Sequence, residues 1–311
     1  MILPTKNESY SWLRLIRWKN LIIILFTQFL AWWCVILPHS PVVLLPFNFT
    51  LLAISTALIA AAGYMINDYF DIKIDLVNKP EKVVLETTIP RKKAIIFHTV
   101  LNVCGLLLAA YVAIHAGHPE WLILQASCTL LLWFYSTHFK RQFLTGNVVV
   151  SILTALTILT LVIYEPGISS FQSVDFHLSP AMVLIVYTFF AFALTLMREI
   201  VKDMEDHIGD ASEGCRTLPV IKGLDYSANF VLLIDCLVIL PLAYVAYILF
   251  THDLQILSGY IVFLIALLIA WAAFLKNGKT TPGHYHNSSR GLKIIMLVGV
   301  LSLLIYHFQI S

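Results

Sequence analysis

Apolar residues in this chain come in long unbroken runs separated by short polar stretches, without the alternation of a half-buried strand. The runs cover residues 20–38, 49–67, 93–114, 120–137, 147–165, 178–197, 228–250, 256–275 and 292–309. A helix needs about 20 apolar residues to cross the hydrocarbon of a bilayer. Each run therefore predicts one crossing, since backbone polar groups in lipid must be satisfied within the segment. The expected fold class is all-α: a multi-pass membrane bundle of nine transmembrane helices forming one domain over residues 1–311. The first run lacks the short apolar core and small-residue cleavage site of a secretory signal, so its helix is expected to stay.

Composition agrees with that pattern. Of 311 residues, 59% are hydrophobic and 12% are charged. A soluble domain carries about 25% charged residues. The basic residues are also segregated. Lys6, Arg14, Arg17 and Lys19 precede the first run; Lys73, Lys79, Lys82, Arg91, Lys92 and Lys93 follow the second. Lys140 and Arg141 follow the fourth run, and Arg198, Lys202, Arg216 and Lys222 follow the sixth. Lys276, Lys279, Arg290 and Lys293 precede the ninth, which accounts for all 20. The intervening loops hold none, so the positive-inside rule predicts a cytoplasmic N-terminus. The net charge of +2 says little about partners once the charges are this segregated; membrane lipids are the expected surroundings, and no nucleic acid is expected as a partner. The five cysteines show no metal-ligand spacing.

Two polar stretches carry the candidate chemistry. Asn67-Asp68-Tyr69-Phe70-Asp71-Ile72-Lys73-Ile74-Asp75 follows the second run directly. In a continuing helix Asn67, Asp71 and Asp75 stack at i, i+4, i+8 along one face. Carboxylates crowded in this way repel unless a cation sits among them, and an all-oxygen set suits Mg²⁺. Asp203, Asp206 and Asp210 repeat the spacing of Asp68, Asp71 and Asp75 after the sixth run. Two such helix ends facing each other would cage a magnesium diphosphate; the plain alternative is a pair of solvated charged loops.

Other polar positions are less directive. Asn20 either points into the bundle or caps its helix, while Gln28 and Asn102 suit bonds between neighbouring helices. The loop 76–92 contains Asn78-Lys79-Pro80 and Ile89-Pro90-Arg91, whose prolines interrupt a helix, and its length suits a lid. Its bases Lys79, Lys82 and Arg91 either contact a phosphate or anchor to anionic lipid. A helix continuing from Tyr135 would turn Lys140 to another face, so a break after Ser136 is needed for both to serve one site. Gly209 and Gly214 are expected to turn the chain, and Asn287-Ser288-Ser289 to cap the last helix after a loop holding His284 and His286. Asp235 lies within the seventh run, where a carboxylate is either functional or a protonated inter-helix hydrogen-bond partner.

The motifs Asn67-Asp68-x-x-Asp71-x-x-x-Asp75, Tyr135-Ser136-x-x-x-Lys140 and Asp206-x-x-x-Asp210, set in a nine-helix pattern, resemble the UbiA superfamily of intramembrane prenyltransferases. The stretch Arg198 to Asp206 with Gly209-Asp210 and Arg216-Thr217-Leu218-Pro219 is most similar to its geranylgeranylglyceryl phosphate geranylgeranyltransferase branch. That branch usually continues the first motif with two Arg-Pro pairs and a Gly, from which the loop after Asn78 departs. The resemblance implies a prenyl diphosphate bound through Mg²⁺ and transferred to a membrane-embedded acceptor, a prenylated glycerol phosphate. It implies metal ligands at Asn67, Asp68, Asp71, Asp75, Asp203, Asp206 and Asp210, with Asp71, Asp206, Tyr135 and Lys140 catalytic. Substrate contacts are expected from Asn20, Asn67, Lys79, Arg91, Lys140, Arg141, Arg198 and Lys202. The active site is expected on the cytoplasmic side of the cell membrane. An aromatic acceptor, as in quinone biosynthesis, is the alternative. A transporter is a further one, although transport sites usually lie near the bilayer midplane.

Overall fold

The computed structural model describes residues 8–38, 43–78, 80, 83–169, 179–278 and 280–310. Among the described residues the fold is all-α, with a lone β-bridge between Leu85 and Ile89. The helices are α1 (Glu8–Leu15), α2 (Trp18–Ala31), α3 (Pro46–Asn78), α4 (Arg91–His115), α5 (Leu122–Thr137) and α6 (Thr145–Ile163). They continue with α7 (Pro180–Ser212), α8 (Leu218–Lys222), α9 (Leu224–Thr251), α10 (Gln255–Asn277) and α11 (Pro282–Ile310). A five-residue π-helix, Trp32–Ile36, prolongs α2.

Eight of these helices are long and apolar enough to cross a bilayer: α2 with its π-extension, α3, α4, α6, α7, α9, α10 and α11. The run at 120–137 gives the shorter α5, of 16 residues, behind a 3-10 turn at Pro119–Trp121. Helices α3 and α7 have 33 residues each, about 50 Å of rise, which exceeds a hydrocarbon core of about 30 Å. Each therefore carries its acidic segment as a continuous helical extension beyond its apolar part. Gly209 sits inside α7, and the turn comes at Gly214, whose φ of 72° is the left-handed value glycine tolerates. The last helix begins at Pro282, so His284, His286, Asn287, Ser288 and Ser289 are helical, against the expectation of a loop and cap. Pro at a helix start has a preset φ and no N–H to satisfy, which moves the start upstream of the serines.

The chain forms two compact units. The first comprises residues 1–29 and 43–140. Here α3 packs on α4 and α5 through small residues, around Leu15, Ala61, Ala62, Met65, Leu85 and Ile89. Gly105 lets α4 approach α3 closely enough for Ser55 Oγ to donate to its carbonyl at 2.7 Å. Gln28 Nε2 donates to Thr56 Oγ1 at 3.3 Å, the inter-helix bond expected of it. Asn102 instead turns to His98 on its own helix, and the His98 ring hydrogen-bonds the Ala62 carbonyl of α3 at 3.0 Å.

The second unit comprises residues 30–42 and 141–311. In it α7, α9, α10 and α11 form a four-helix bundle, each packed on two neighbours, with α6 against α7. Polar ties cross its seams. Tyr187 OH bonds Ser302 Oγ, and Ser258 Oγ donates to the Ala246 carbonyl at 2.7 Å. Trp271 Nε1 donates to the Ser288 carbonyl at 2.9 Å.

Candidate active site

In the first unit α3 runs through its acidic segment, so Asn67 and Asp71 meet one turn apart. Asn67 Nδ2 donates to Asp71 Oδ2 at 2.7 Å. After α5 ends at Thr137, a 3-10 turn at Phe139–Arg141 swings Lys140 back, and its Nζ donates to that same Asp71 oxygen. The break expected after Ser136 thus falls one residue later and brings Lys140 to the acidic face. Burial disfavours the Lys140 ammonium, but the charges of Asp71, Tyr135 and Asp75 outweigh it and hold the proton more tightly than in free lysine. Asp71 is 4% exposed, Tyr135 is buried, and Asp68 and Asp75 are half-buried.

Asp68 has a partner that pattern reading missed. Arg17 donates to its Oδ1 at 2.7 Å while lying 5.0 Å over the Tyr64 ring. Arg17 joins α1 to α2 with φ of 51°, a left-handed backbone uncommon outside glycine. In the sequence Arg17 stands with Lys6, Arg14 and Lys19 before the first apolar run, and a charge count reads it only as one of these four bases. Arg91 lies beside Glu86 at 3.6 Å and over the Tyr69 ring at 5.8 Å, both in its own unit. Asn20 lies in the first turn of α2, and its backbone N–H goes to the Arg17 carbonyl at 2.7 Å. Lys79 and Lys82 lie outside the described residues.

In the second unit the acidic segment occupies the last turns of α7. Asn147, near the start of α6, donates through Nδ2 to Asp203 Oδ2 at 2.7 Å. Glu199 takes Arg198 at 2.6 Å and Lys202 at 3.4 Å. Asp210 is buried and accepts from Thr217 Oγ1 at 3.4 Å, while Asp206 is half-buried. His286 of α11 reaches Glu205 at 3.1 Å, so this histidine ties two helices together. Arg141 accepts the Arg216 N–H on its carbonyl at 2.8 Å, which closes the strand of chain after α7 onto the start of this unit.

Among the described residues no three His, Cys, Asp or Glu side chains gather into a ready-made metal cage. Lysine and arginine charges compensate Asp71 and Asp68 instead. The donor set nevertheless suits Mg²⁺. Asn67 Oδ1 is buried without a hydrogen-bond partner beside the Asp71 carboxylate, a hard oxygen left unsatisfied. Mg²⁺ typically takes one or two carboxylates and completes its shell with water and substrate phosphates, so a prebuilt cage is not required. Arg198 Nε is likewise buried and unbonded, a donor suited to an anion.

Long apolar helices that end in oxygen-rich acidic turns, with a lysine on the first, define a multi-pass membrane protein with its polar chemistry at the helix ends. The chain belongs to the UbiA prenyltransferase family, whose sequence pattern matches residues 21–286. It is 32% identical over 253 residues to Digeranylgeranylglyceryl phosphate synthase of Ignicoccus hospitalis, covering 81% of this chain and 78% of the relative. The enzyme of the same name from Methanothermobacter thermautotrophicus is 34% identical over 193 residues, 60% of this chain; the match spans 62% of that relative's length. In fold the chain is similar to a UbiA homolog from Archaeoglobus fulgidus bound to GPP and Mg²⁺, with a TM-score of 0.60 at 15% identity. That alignment covers 94% of this chain and 99% of the homolog. Family membership settles the choice between enzyme and transporter in favour of the enzyme.

Proposed function

We propose that this prenyltransferase moves a geranylgeranyl group from its diphosphate to geranylgeranylglyceryl phosphate, the reaction that makes a diether lipid precursor. The observation that carries the reading is the Asn67–Asp71–Lys140 cluster: a carboxylate shared by an amide and an ammonium, beside an unsatisfied amide oxygen. The relatives named above supply the acceptor, and the Archaeoglobus fulgidus homolog supplies the metal and the allylic diphosphate.

Asn67, Asp68, Asp71 and Asp75 in the first unit and Asp203, Asp206 and Asp210 in the second would hold Mg²⁺. When bound, the metal neutralises the diphosphate leaving group. Lys140 and Arg198 add fixed positive charge at the diphosphate oxygens, with Lys202, Arg141, Asn20 and Asn67 as further substrate contacts. The allylic C–O bond breaks as negative charge gathers on the leaving group, and the Tyr135 face stabilises the delocalised cation. The acceptor hydroxyl then attacks the cation and gives up its proton to the departing diphosphate, and the apolar helices keep water from quenching the cation. Lys79, Lys82 and Arg91 bind the acceptor's own phosphate. The two units act as one prenyltransferase domain.

The reading includes nine crossings. Helix α5 and the 3-10 turn before it together rise about 30 Å, enough for a ninth. An odd count with a cytoplasmic N-terminus puts every basic residue on the cytoplasmic side, together with both acidic segments. The test is direct: membranes containing the protein are incubated with labelled geranylgeranyl diphosphate and a panel of prenylated glycerol phosphates and aromatic acids. Labelled diether supports the proposal. Labelled aromatic product without diether replaces the acceptor, and no product with either rejects the activity.

A further inference from the structure

Among the described residues of the second unit, Thr195 Oγ1 of α7, Asp235 Oδ1 and Ser288 Oγ are buried polar atoms that its proposed chemistry does not use. Asp235 of α9 is 1% exposed and its Oδ1 has no hydrogen-bond partner; Ser288 of α11 is 0% exposed and its Oγ has none. Unsatisfied groups of this kind are few in native proteins, and each calls for a partner. Away from water the demand is sharper, since lipid offers no hydrogen bond.

Position brings Asp235 and Ser288 together. Helices α9 and α11 both pack on α7 and on α10, so they stand across a diagonal of the four-helix bundle. Asp235 shares its buried face with Val231 and Val238, whereas Leu233 and Leu237 on the other face are exposed; it points inward. Ser288 shares its buried face with Tyr285 and Leu292, opposite the exposed Ile294. Depth follows from two inter-helix bonds. Antiparallel neighbours count in opposite directions, so the Ser258–Ala246 bond sets Asp235 level with Ile269 of α10. The Trp271–Ser288 bond sets Ile269 level with Arg290, two residues from Ser288. Two residues are about 3 Å along a helix, so both orphaned atoms lie in one layer of the bundle interior.

We propose that Asp235 Oδ1 and Ser288 Oγ share one buried water molecule that bridges α9 and α11 across the bundle. The two side chains make no direct bond, and one small polar molecule between them would satisfy both. A buried water typically makes about three hydrogen bonds to groups otherwise unsatisfied, and these two side chains supply two of them. Trp271, whose ring packs at the Ser288 backbone, lines the same layer. The bridge fixes the register of two helices against α7, which carries the second acidic segment.

Two measurements on the full-length protein in membranes test this. Brief X-ray radiolysis generates hydroxyl radicals from bound water, which oxidise adjacent side chains. Trp271 is expected to be oxidised although it is buried, and its labelling to fall by about half or more in Ser288→Ala and in Asp235→Leu, once the water loses a partner. In a double-mutant cycle the Tm losses of Asp235→Leu and Ser288→Ala are expected to combine to less than their sum, because either change removes the shared bridge. Where Asp235→Leu fails to assemble, Asp235→Ala takes its place, and the Ser288→Ala labelling stands alone if both fail. An unlabelled Trp271 in the native protein, labelling unchanged by Ser288→Ala, or strictly additive Tm losses would each overturn the proposal.

Discussion

Asn147 Nδ2 donates to Asp203 Oδ2 at 2.7 Å, joining the start of α6 to the acidic end of α7. The first acidic segment solves the same problem within one helix, where Asn67 serves Asp71 from the preceding turn. In α7 the position one turn before Asp203 is Glu199, which cannot donate, so the amide comes from a neighbouring helix. Both amides orient a carboxylate without neutralising it. Replacing Asn147 by Leu is expected to lower kcat/KM for the prenyl diphosphate about 10- to 100-fold and to raise the Mg²⁺ concentration giving half-maximal activity. Steady-state transfer over a series of Mg²⁺ concentrations reads this, and an unchanged Mg²⁺ dependence would detach Asn147 from the site.

Lys140 is the cation on the Asp71 carboxylate. Lys140→Met is expected to cost about 100- to 1,000-fold in kcat, the scale of losing a preorganised charge on a leaving group. Lys140→Arg should recover only part of it, because a planar fork does not replace a point donor on one oxygen. Single-turnover rates with saturating prenyl diphosphate separate this from weaker binding.

The acidic residues themselves are expected to be indispensable. Asp71→Ala and Asp206→Ala should each abolish transfer while the protein still inserts and elutes as a single species. EDTA should abolish activity in the native enzyme and Mg²⁺ restore it. Turnover by either variant, or transfer without divalent metal, contradicts the proposed site.

For the acceptor the expected readout is a KM. Neutralising Lys79, Lys82 and Arg91 together should raise the KM for the glycerol phosphate several-fold and leave the prenyl diphosphate KM nearly unchanged. Wild-type acceptor kinetics in the triple variant would make this loop a lipid anchor.

Packing in the first unit depends on a close approach at Gly105. A Cβ there would lie 2.8 Å from Ile59 Cγ1 and 3.2 Å from the Ser55 carbonyl oxygen, so α4 would have to move off α3. Gly105→Val is expected to destabilise the protein by about 1–3 kcal/mol, read as a lowered Tm in detergent. An unchanged Tm would mean that the two helices separate without cost.

Hydrophobic run length and charge placement determined by themselves that this is an all-helical membrane protein. They also located the acidic turns, because crossing a bilayer and holding a metal both impose local patterns of residue type. The i, i+4 relation of Asn67 and Asp71 followed from helical periodicity alone. Helix ends were less legible. A polar serine pair reads as a cap, yet Pro282 starts α11 earlier because helical hydrogen bonds and packing on α10 outweigh the local preference for a cap. Only the tertiary structure decided which side chain meets which carboxylate. Arg17 on Asp68, Lys140 on Asp71, Asn147 on Asp203 and His286 on Glu205 join residues 51, 69, 56 and 81 positions apart. No periodicity encodes such pairs, because they depend on how helices stack and on turns that redirect a side chain. The orphaned oxygens of Asn67, Asp235 and Ser288 are tertiary facts for the same reason: whether a polar atom has a partner depends on everything packed around it.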